Sequence, residues 1–155
     1  MQLTLYSDYS LRTLIYLALC EEGATISEIA ERFRISHNHL TKVAHNLGKL
    51  GYITTTRGRS GGLALALSPD EINIGAVVRQ VEPHFNLVEC FDPDKNTCPI
   101  LPACALRGVL GEAQEAFLKV LDGYRLSDFR GSGPDVARLL GLAPVSAAAP
   151  RSPGI

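Results

Sequence analysis

The sequence lacks any segment suited to a lipid bilayer. No apolar run approaches the roughly 18 to 20 residues that a membrane-spanning helix needs. The first six residues lack both the basic start and the apolar centre of a secretory signal peptide. We therefore expect a cytoplasmic protein that makes no membrane contact. Since 46% of its 155 residues are hydrophobic, the chain can bury a core of ordinary size.

The sequence also lacks internal repeats and any Cys-x-x-Cys pair among its four cysteines. Such pairs are typical of thiol oxidoreductases and of structural zinc sites, so their absence argues against both classes of protein. No residue pattern indicates a base positioned beside a nucleophile. We expect no enzymatic activity. In a reducing compartment, clustered cysteines more often serve metal binding or redox chemistry than disulfide formation.

The near-zero net charge of −1 conceals an uneven distribution of charge. Between Thr25 and Gly62 there are six Lys and Arg residues and two Glu residues, which gives this segment a net charge of +4. The remainder is acidic, and several carboxylates crowd around Cys90. A polyanion should therefore meet the N-terminal half, although a basic segment can also be an ordinary solvated surface.

Three helices are predicted before residue 52. Ser7 is a candidate N-cap of the first helix, whose apolar positions continue toward Gly23. The sequence Thr-Ile-Ser-Glu at Thr25–Glu28 fits a capping box that begins a short second helix. Ser36 can cap a third helix, in which apolar residues recur at helical spacing until Gly51.

A β-hairpin and a fourth helix should follow. Residues Tyr52 to Thr56 include several β-branched side chains, and Leu63 to Leu67 alternates Leu with Ala. The glycine-rich stretch between them is typical of a turn. The segment from Ser68 to Val81 is predicted to form the fourth helix, with its proline in the first turn.

Two short helices joined through Arg34 and Ile35, followed by a hairpin, give the order of a winged helix-turn-helix. In that motif the N-terminal turn of the second helix enters the major groove of DNA. Its polar side chains can bond base edges or phosphates. The candidate DNA contacts in this turn are Ser36, His37, Asn38, His39, Thr41 and Lys42.

The predicted wing has a different role from the recognition helix. Arg57 and Arg59 can enter a narrow, electronegative minor groove, while Gly58 and Gly61 permit close approach of the backbone. A solvated hairpin turn is the alternative interpretation. The preceding recognition helix and the basic segment around both favour DNA binding.

A long helix is predicted from Ala103 onward. Its apolar residues between Leu106 and Tyr124 lie nearly in heptad positions. Such a stripe suits a partner helix, so we expect a homodimer, and packing on the chain's own domain is the alternative. Residues 144 to 155 are rich in Pro, Ala and Ser and should form a disordered tail.

Cys90, Cys98 and Cys104 fall within fifteen residues of one another. Their gaps of seven and five residues suit thiolates that surround an iron-sulfur cluster, which is bulkier than a single zinc ion. A structural zinc site, a thiol switch and unrelated thiols remain as alternatives. Cys20 is separate from this group, and its apolar helical setting predicts a core position.

Residues 1 to 129 resemble the Rrf2 family of winged-helix iron-sulfur repressors, in particular its nitric-oxide-sensing branch. The matching stretches are Met1-Gln2-Leu3-Thr4, Asp8-Tyr9, Ile26-Ser27-Glu28, Asn38-His39, Gly51-Tyr52, Arg57-Gly58, Gly61-Gly62, Ile74-Gly75, Val81-Glu82-Pro83 and Pro102-Ala103-Cys104. The resemblance implies a homodimeric repressor whose cluster reacts with nitric oxide. Promoters of nitric-oxide detoxification and nitrosative-stress genes would then be released.

The resemblance also implies a set of cluster ligands. These would be the three cysteines Cys90, Cys98 and Cys104 of one subunit, with Asp8 of the other subunit as a further ligand. From the residues alone, Asp8 would instead cap the helix or pair with Arg12. The favoured cofactor is a 4Fe-4S cluster, and a 2Fe-2S cluster is the alternative.

Another branch of the family fits less well. Its iron-sulfur-biogenesis repressors carry a histidine three residues after the last cysteine, where this chain has Arg107, which offers no acceptor to iron. An iron- or redox-responsive repressor of the same family remains the alternative function. His84 and Cys20 are spare candidates for ligands.

The sequence thus predicts a mainly α-helical protein with a small β-hairpin wing and a long dimerisation helix. We expect a winged helix-turn-helix domain at residues 1–82, a cluster-binding loop at 83–104, a dimerisation helix and following segment at 105–129, and a C-terminal tail at 130–155. The expected partners are a second copy of the chain and double-stranded promoter DNA with two-fold-related half-sites. Nitric oxide is the expected signal.

Replacing Arg57 or Arg59 by Ala should weaken operator binding and lower its salt dependence. Each lost phosphate contact should reduce the slope of log affinity against log salt by about 0.9. Fluorescence titrations at several salt concentrations measure both quantities, with Arg138→Ala in the predicted tail as the control. Unchanged affinity and slope in both wing variants would reject the assignment of the wing to DNA.

Overall fold

The computed structural model describes residues 2–20, 22–56 and 62–142. The tip of the predicted wing and residues 143–155 of the predicted tail lie outside these residues, whereas the first part of that tail, residues 130–142, is described and contains a short helix. No helix in the described ranges is both long and apolar enough to span a bilayer. The elements are α1 (Leu5–Leu19), α2 (Ile26–Phe33), α3 (His37–Lys49), β1 (Ile53–Thr55), β2 (Leu63–Leu65), α4 (Ile74–Val81), α5 (Ala105–Asp122) and α6 (Gly133–Leu139), with 3-10 segments at Glu89–Phe91, Leu101–Ala103 and Leu126–Ser132.

The start of α1 corrects the sequence prediction. Thr4, and not Ser7, is the N-cap, and its hydroxyl accepts a hydrogen bond from the Ser7 backbone N–H at 3.3 Å. Ser7 lies inside the first turn, fully buried, and its hydroxyl donates to the Glu82 carboxylate. The prediction was wrong because both residues can cap a helix, and the partner that engages Ser7 is 75 positions away in sequence.

The turn between α2 and α3 forms largely as predicted. The capping box is confirmed, since the Thr25 N–H donates to the Glu28 carboxylate at 2.6 Å and the Glu28 N–H donates to the Thr25 hydroxyl at 3.2 Å. These bonds hold the pKa of Glu28 below its usual value. Arg34 then adopts a left-handed conformation with φ of 55°, which ends α2 and redirects the chain. Ser36 is the N-cap residue of α3, although its side chain makes no capping hydrogen bond.

The hairpin is also confirmed, with β1 antiparallel to β2 and Ile53 opposite Leu65. Ala24 braces it from the side, since its N–H and carbonyl form two hydrogen bonds with Leu63, at 2.9 and 2.7 Å. Gly23 permits this approach, because a Cβ at its position would lie 2.6 Å from the Leu63 carbonyl oxygen and its φ is +82°. The wing is therefore attached to the segment that begins α2.

Helix α4 begins later than predicted from Ser68. Its N-cap is Asn73, whose side-chain oxygen accepts from the Ala76 N–H at 2.9 Å. The Asn73 amide also donates to the carbonyl of Asp122 at 2.7 Å, at the end of α5. Residues 68–71 instead form a turn closed by a backbone bond from Glu71 to Ser68. The local Asn73 cap therefore starts the helix, and the same side chain ties that start to the end of α5.

The core lies where α1 packs against α3, α4 and the hairpin. Its most deeply buried apolar side chains come from every one of these helices and from the segments beside them: Leu14, Ile29, Val43, Leu47, Ile72, Val77, Val78 and Leu126. Each such side chain contributes about 1.5 to 3 kcal/mol by leaving water. The predicted mainly helical fold with a small hairpin is confirmed.

Helix α5 has a packed end and an open end. Leu118 is buried against the core, and Arg79 of α4 forms a two-pronged ion pair with Asp122, with one branch at 2.8 Å. Near its start, by contrast, Leu106 and Val109 are 61% and 60% exposed. The predicted apolar stripe therefore packs partly on its own domain, through Phe117, Leu121 and Tyr124, and most of its N-terminal half is uncovered in the single chain.

Candidate DNA interface and metal centre

The N-terminal turn of α3 presents a polar surface. The six candidate contacts Ser36, His37, Asn38, His39, Thr41 and Lys42 are all exposed. Between them Leu40 is buried and anchors the turn to the core. Their exposure agrees with the predicted recognition helix, and their contacts with DNA remain predictions.

Intramolecular contacts distinguish among these six side chains. The Thr41 hydroxyl donates to the His37 carbonyl at 2.9 Å, so its proton is engaged with the helix backbone. The His39 ring lies against Tyr9, with 6.3 Å between the ring centroids. Asn38 and Lys42 extend an amide and an ammonium group into solvent. A bidentate amide suits adenine, and the ammonium suits guanine or phosphate.

Helix α1 supports the recognition helix through residues that sequence reasoning missed. The Tyr6 hydroxyl donates to the backbone carbonyl of Lys42 at 3.2 Å. Burial raises the pKa of Tyr6, although a hydrogen bond with the Asn46 side chain opposes this shift. The phenol therefore keeps its proton at neutral pH and can donate. In the sequence, the signal that the first turns of α1 do more than pack in the core was the family resemblance at Asp8-Tyr9.

A shallow groove between α2, α3 and the hairpin adds further candidates. It is lined by Thr25, Ile26, Ser27, His37, Thr55, Thr56, Gly62 and Leu63. Ser27 and Thr55 bring hydroxyls to the positive end of α2, where hydrogen bonds to a phosphate oxygen are favourable. In the sequence, the signal for these further candidates was the presence of hydroxyl residues beside the capping box.

The predicted wing contacts Arg57, Gly58, Arg59 and Gly61 lie outside the described residues. The base of the turn is described, and the Thr56 N–H donates to the Gly62 carbonyl at 3.0 Å. The hairpin is therefore closed directly beneath the predicted contacts. Their role in DNA binding stays a prediction.

The three clustered cysteines occupy one excursion between α4 and α5. Cys90 lies in the 3-10 segment Glu89–Phe91, and Cys104 is the N-cap residue of α5, with Cys98 between them. All three are free thiols and half-buried. No disulfide competes for them, so their donor chemistry suits soft metal centres such as iron-sulfur clusters.

Hydrogen bonds join the parts of this cysteine loop. The Glu89 carboxylate accepts from the Thr97 N–H at 2.5 Å and from its hydroxyl at 2.7 Å, which ties the neighbour of Cys90 to the neighbour of Cys98. These bonds lower the pKa of Glu89. Arg107 of α5 donates to the Cys90 carbonyl at 3.3 Å, and its guanidinium lies 5.7 Å from the Phe91 ring centroid. The loop is thus bridged internally and is attached to α5.

Within the described ranges of one chain, no three metal-ligating side chains meet at a common point. The free, half-buried thiols still fit an iron-sulfur cluster in ligand type, and Cys90, Cys98 and Cys104 are the residues that would hold it. Cys20 is a poorer ligand, because burial raises the pKa of its thiol and only the thiolate binds metal well. His84 is exposed.

Asp8 lies in the first turn of α1 and pairs with Arg12. Arg12 donates to its two carboxylate oxygens at 2.9 and 2.8 Å. This is the pair, four residues apart, that the residues alone favoured. An ionised carboxylate has about four lone-pair sites, so the pair leaves capacity for another partner. The ligand role of Asp8 remains a proposal.

Comparison with known proteins decides the family. Residues 3–131 match the family described as "Rrf2: Iron-dependent Transcriptional regulator". The chain belongs to the Rrf2 family. Two relatives called HTH-type transcriptional regulator NsrR, from Shouchella clausii and Bacillus subtilis, are each 53% identical over 142 residues, which is 90% of this chain and 95% and 97% of theirs. The predicted family is confirmed, and this Rrf2 chain is a helix-turn-helix transcriptional regulator.

Solved structures of other Rrf2 regulators share the fold. CymR, described as the global cysteine regulator of B. subtilis, aligns with a TM-score of 0.66 at 27% identity, over 83% of this chain and 95% of that one. IscR of T. potens gives the same TM-score at 24% identity, over 83% of this chain and 85% of its own, and supports the fold alone. The winged-helix architecture is therefore secure.

Replacing Asn38 by Ala should relax base preference at one operator position by about 1 to 3 kcal/mol, because a bidentate contact with a base edge is lost. Binding to a set of operators that differ at single base pairs measures this preference. Gln80→Ala, on the exposed side of α4, is the matched amide control. A uniform loss across all operators would assign Asn38 to the phosphate backbone instead.

Proposed function

We propose that this Rrf2 regulator is a homodimeric repressor in which an iron-sulfur cluster on Cys90, Cys98 and Cys104 controls promoter binding in response to nitric oxide. The observation that carries the proposal is the set of three free thiols on one hydrogen-bonded loop, in a chain of an iron-dependent family. In this proposal residues 1–82 bind DNA, residues 83–104 hold the cluster and residues 105–129 form the dimer. The relatives that carry the NsrR name support this branch.

The loop residues would hold the cluster, which we propose is of the 4Fe-4S type. When bound, it supplies iron that reacts with nitric oxide. Asp8 of the second subunit would complete the ligand set. Because a carboxylate oxygen is a harder ligand than a thiolate, Asp8 would bind iron less firmly than the cysteines. Arg12 keeps the Asp8 carboxylate oriented on the surface of α1.

The uncovered half of α5 supports the dimer. Leu106 and Val109 expose apolar side chains on a helix whose other end is fixed to α4. A second copy would cover them and so remove apolar surface from water. Two recognition helices related by a two-fold axis would then contact two DNA half-sites. The half-sites would be separated by about one turn of the DNA helix, or by a multiple of it.

Iron supply is a second candidate signal for the same iron-sulfur centre. The family description "Iron-dependent" favours a regulator that responds to iron supply through cluster occupancy. Both functions use the same three cysteines. They differ in whether nitric oxide, added to cluster-loaded protein, changes DNA binding when iron is plentiful.

Replacing Leu106 and Val109 by Lys should weaken the dimer at least about tenfold, because each subunit would bury two charges at the contact. Analytical ultracentrifugation over a range of concentrations gives the dissociation constant. Leu139→Lys is the matched control, since Leu139 is 75% exposed on α6. A double variant that dimerises as tightly as the wild type would place the interface elsewhere.

Replacing Cys90, Cys98 and Cys104 together by Ala should abolish the visible absorption of anaerobically prepared protein and its tight operator binding. Both depend on the cluster if the thiolates hold it. Absorption spectra and DNA titrations with and without nitric oxide make the measurement. Cys20→Ala is the control and should leave both properties nearly unchanged.

The companion variant Asp8→Ala should be milder, since three thiolates still hold the iron, but its response to nitric oxide should differ from that of the wild type. A triple-cysteine variant that binds the operator as tightly as cluster-loaded wild type would show that no cluster controls DNA binding. Loss of binding on iron removal, without any effect of nitric oxide, would favour the iron-supply signal.

A further inference from the structure

Glu82 is a buried acidic residue at the start of the cysteine loop. It is the C-cap residue of α4, and residues 83–104 follow it directly. Its side chain turns back into the protein, and the residue is only 8% exposed. Burial of a carboxyl group is costly unless polar partners surround it. Those partners therefore identify what Glu82 holds in place.

All the observed hydrogen-bond partners of the Glu82 carboxylate belong to the start of α1. The Thr4 N–H and the Thr4 hydroxyl each donate to the same oxygen at 3.1 Å. The fully buried Ser7 hydroxyl also donates to it. The carboxylate thus faces the N-terminal end of α1, where the helix dipole also favours an acidic group. The base of the cysteine loop and the first turn of α1 are linked by one side chain.

The same turn of α1 holds the recognition helix. Tyr6, adjacent to Ser7, donates to the carbonyl of Lys42 on α3. Tyr9 lies against His39. Lys42 and His39 are among the candidate DNA contacts. A continuous set of contacts therefore runs from the cysteine loop to the surface predicted to bind DNA, within one chain.

We propose that Glu82 is the positioning residue through which the cysteine loop sets the placement of the recognition helix. A displacement at the start of the loop would move the Glu82 carboxylate, and the α1 turn would follow, because separation would leave the buried Ser7 hydroxyl and the half-buried Thr4 donors without this partner. Tyr6 and Tyr9 would then carry the movement to α3. This inference rests on the proposed cluster-dependent binding of DNA.

The test measures a ratio, the operator affinity of cluster-loaded protein divided by that of cluster-free protein. The full-length chain is used with a DNA duplex that the wild type selects from a random pool. Couplings between two sites commonly change affinity by about 5- to 150-fold. Glu82→Gln keeps the size of the side chain but replaces the carboxylate by a neutral amide, whose oxygen is a weaker acceptor for the Thr4 and Ser7 donors. Tyr6→Phe removes only the hydroxyl at the other end of the path.

Both variants should retain the visible spectrum of the cluster, while the ratio falls at least about fivefold toward one. A merely structural role would lower thermal stability, or weaken both forms equally, and would leave the ratio as in the wild type. Glu22→Gln is the control with the same change of charge at an exposed turn position. It should preserve the wild-type ratio.

The possible outcomes separate the two proposals. A wild-type ratio of one would overturn the proposed function and this inference together. A large wild-type ratio that both variants retain would overturn the role of Glu82 alone. If Glu82→Gln fails to fold, Tyr6→Phe decides: a reduced ratio with an intact cluster supports the path, and an unchanged ratio rejects it.

Discussion

The placement of α1 is the constraint on which the rest of the structure depends. Leu14 and Leu17 are buried with residues of α3 and α4 in one core, so a single helix determines where the recognition helix and the support of α5 lie. Its first turn is fixed separately by polar contacts with Glu82. Close packing makes such a helix resist gradual deformation, so a displacement at its first turn would move the helix as a unit.

The cysteine loop is attached to two different neighbours. Glu82, which directly precedes the loop, holds α1, and the Cys90 carbonyl accepts a hydrogen bond from Arg107 of α5. The loop therefore lies between the helix that supports DNA recognition and the helix proposed to form the dimer. A cofactor on this loop would be placed to affect both. The thiols themselves are only half-buried, which leaves a path for a small molecule.

Local signals predicted most elements but not all their boundaries. The capping box at Thr25 and the hairpin from Ile53 to Leu65 depend on residues close in sequence, and both formed as predicted. The start of α1 was misplaced because Ser7 takes its partner from a distant segment, and the start of α4 was misplaced because Asn73, and not Ser68, caps the helix. The support of α3 by Tyr6 could not be predicted, since no spacing rule connects two helices across a core.

The sequence by itself determined the family, the order of the helix-turn-helix and hairpin, and the grouping of three cysteines, because each is expressed in residue types at short spacing. Only the tertiary structure decided which polar groups are buried and what satisfies them. Glu82 is an unremarkable acid in the sequence and becomes a link between the loop and α1 once both are packed. Burial makes the difference, because a carboxylate removed from water must find its hydrogen bonds within the protein.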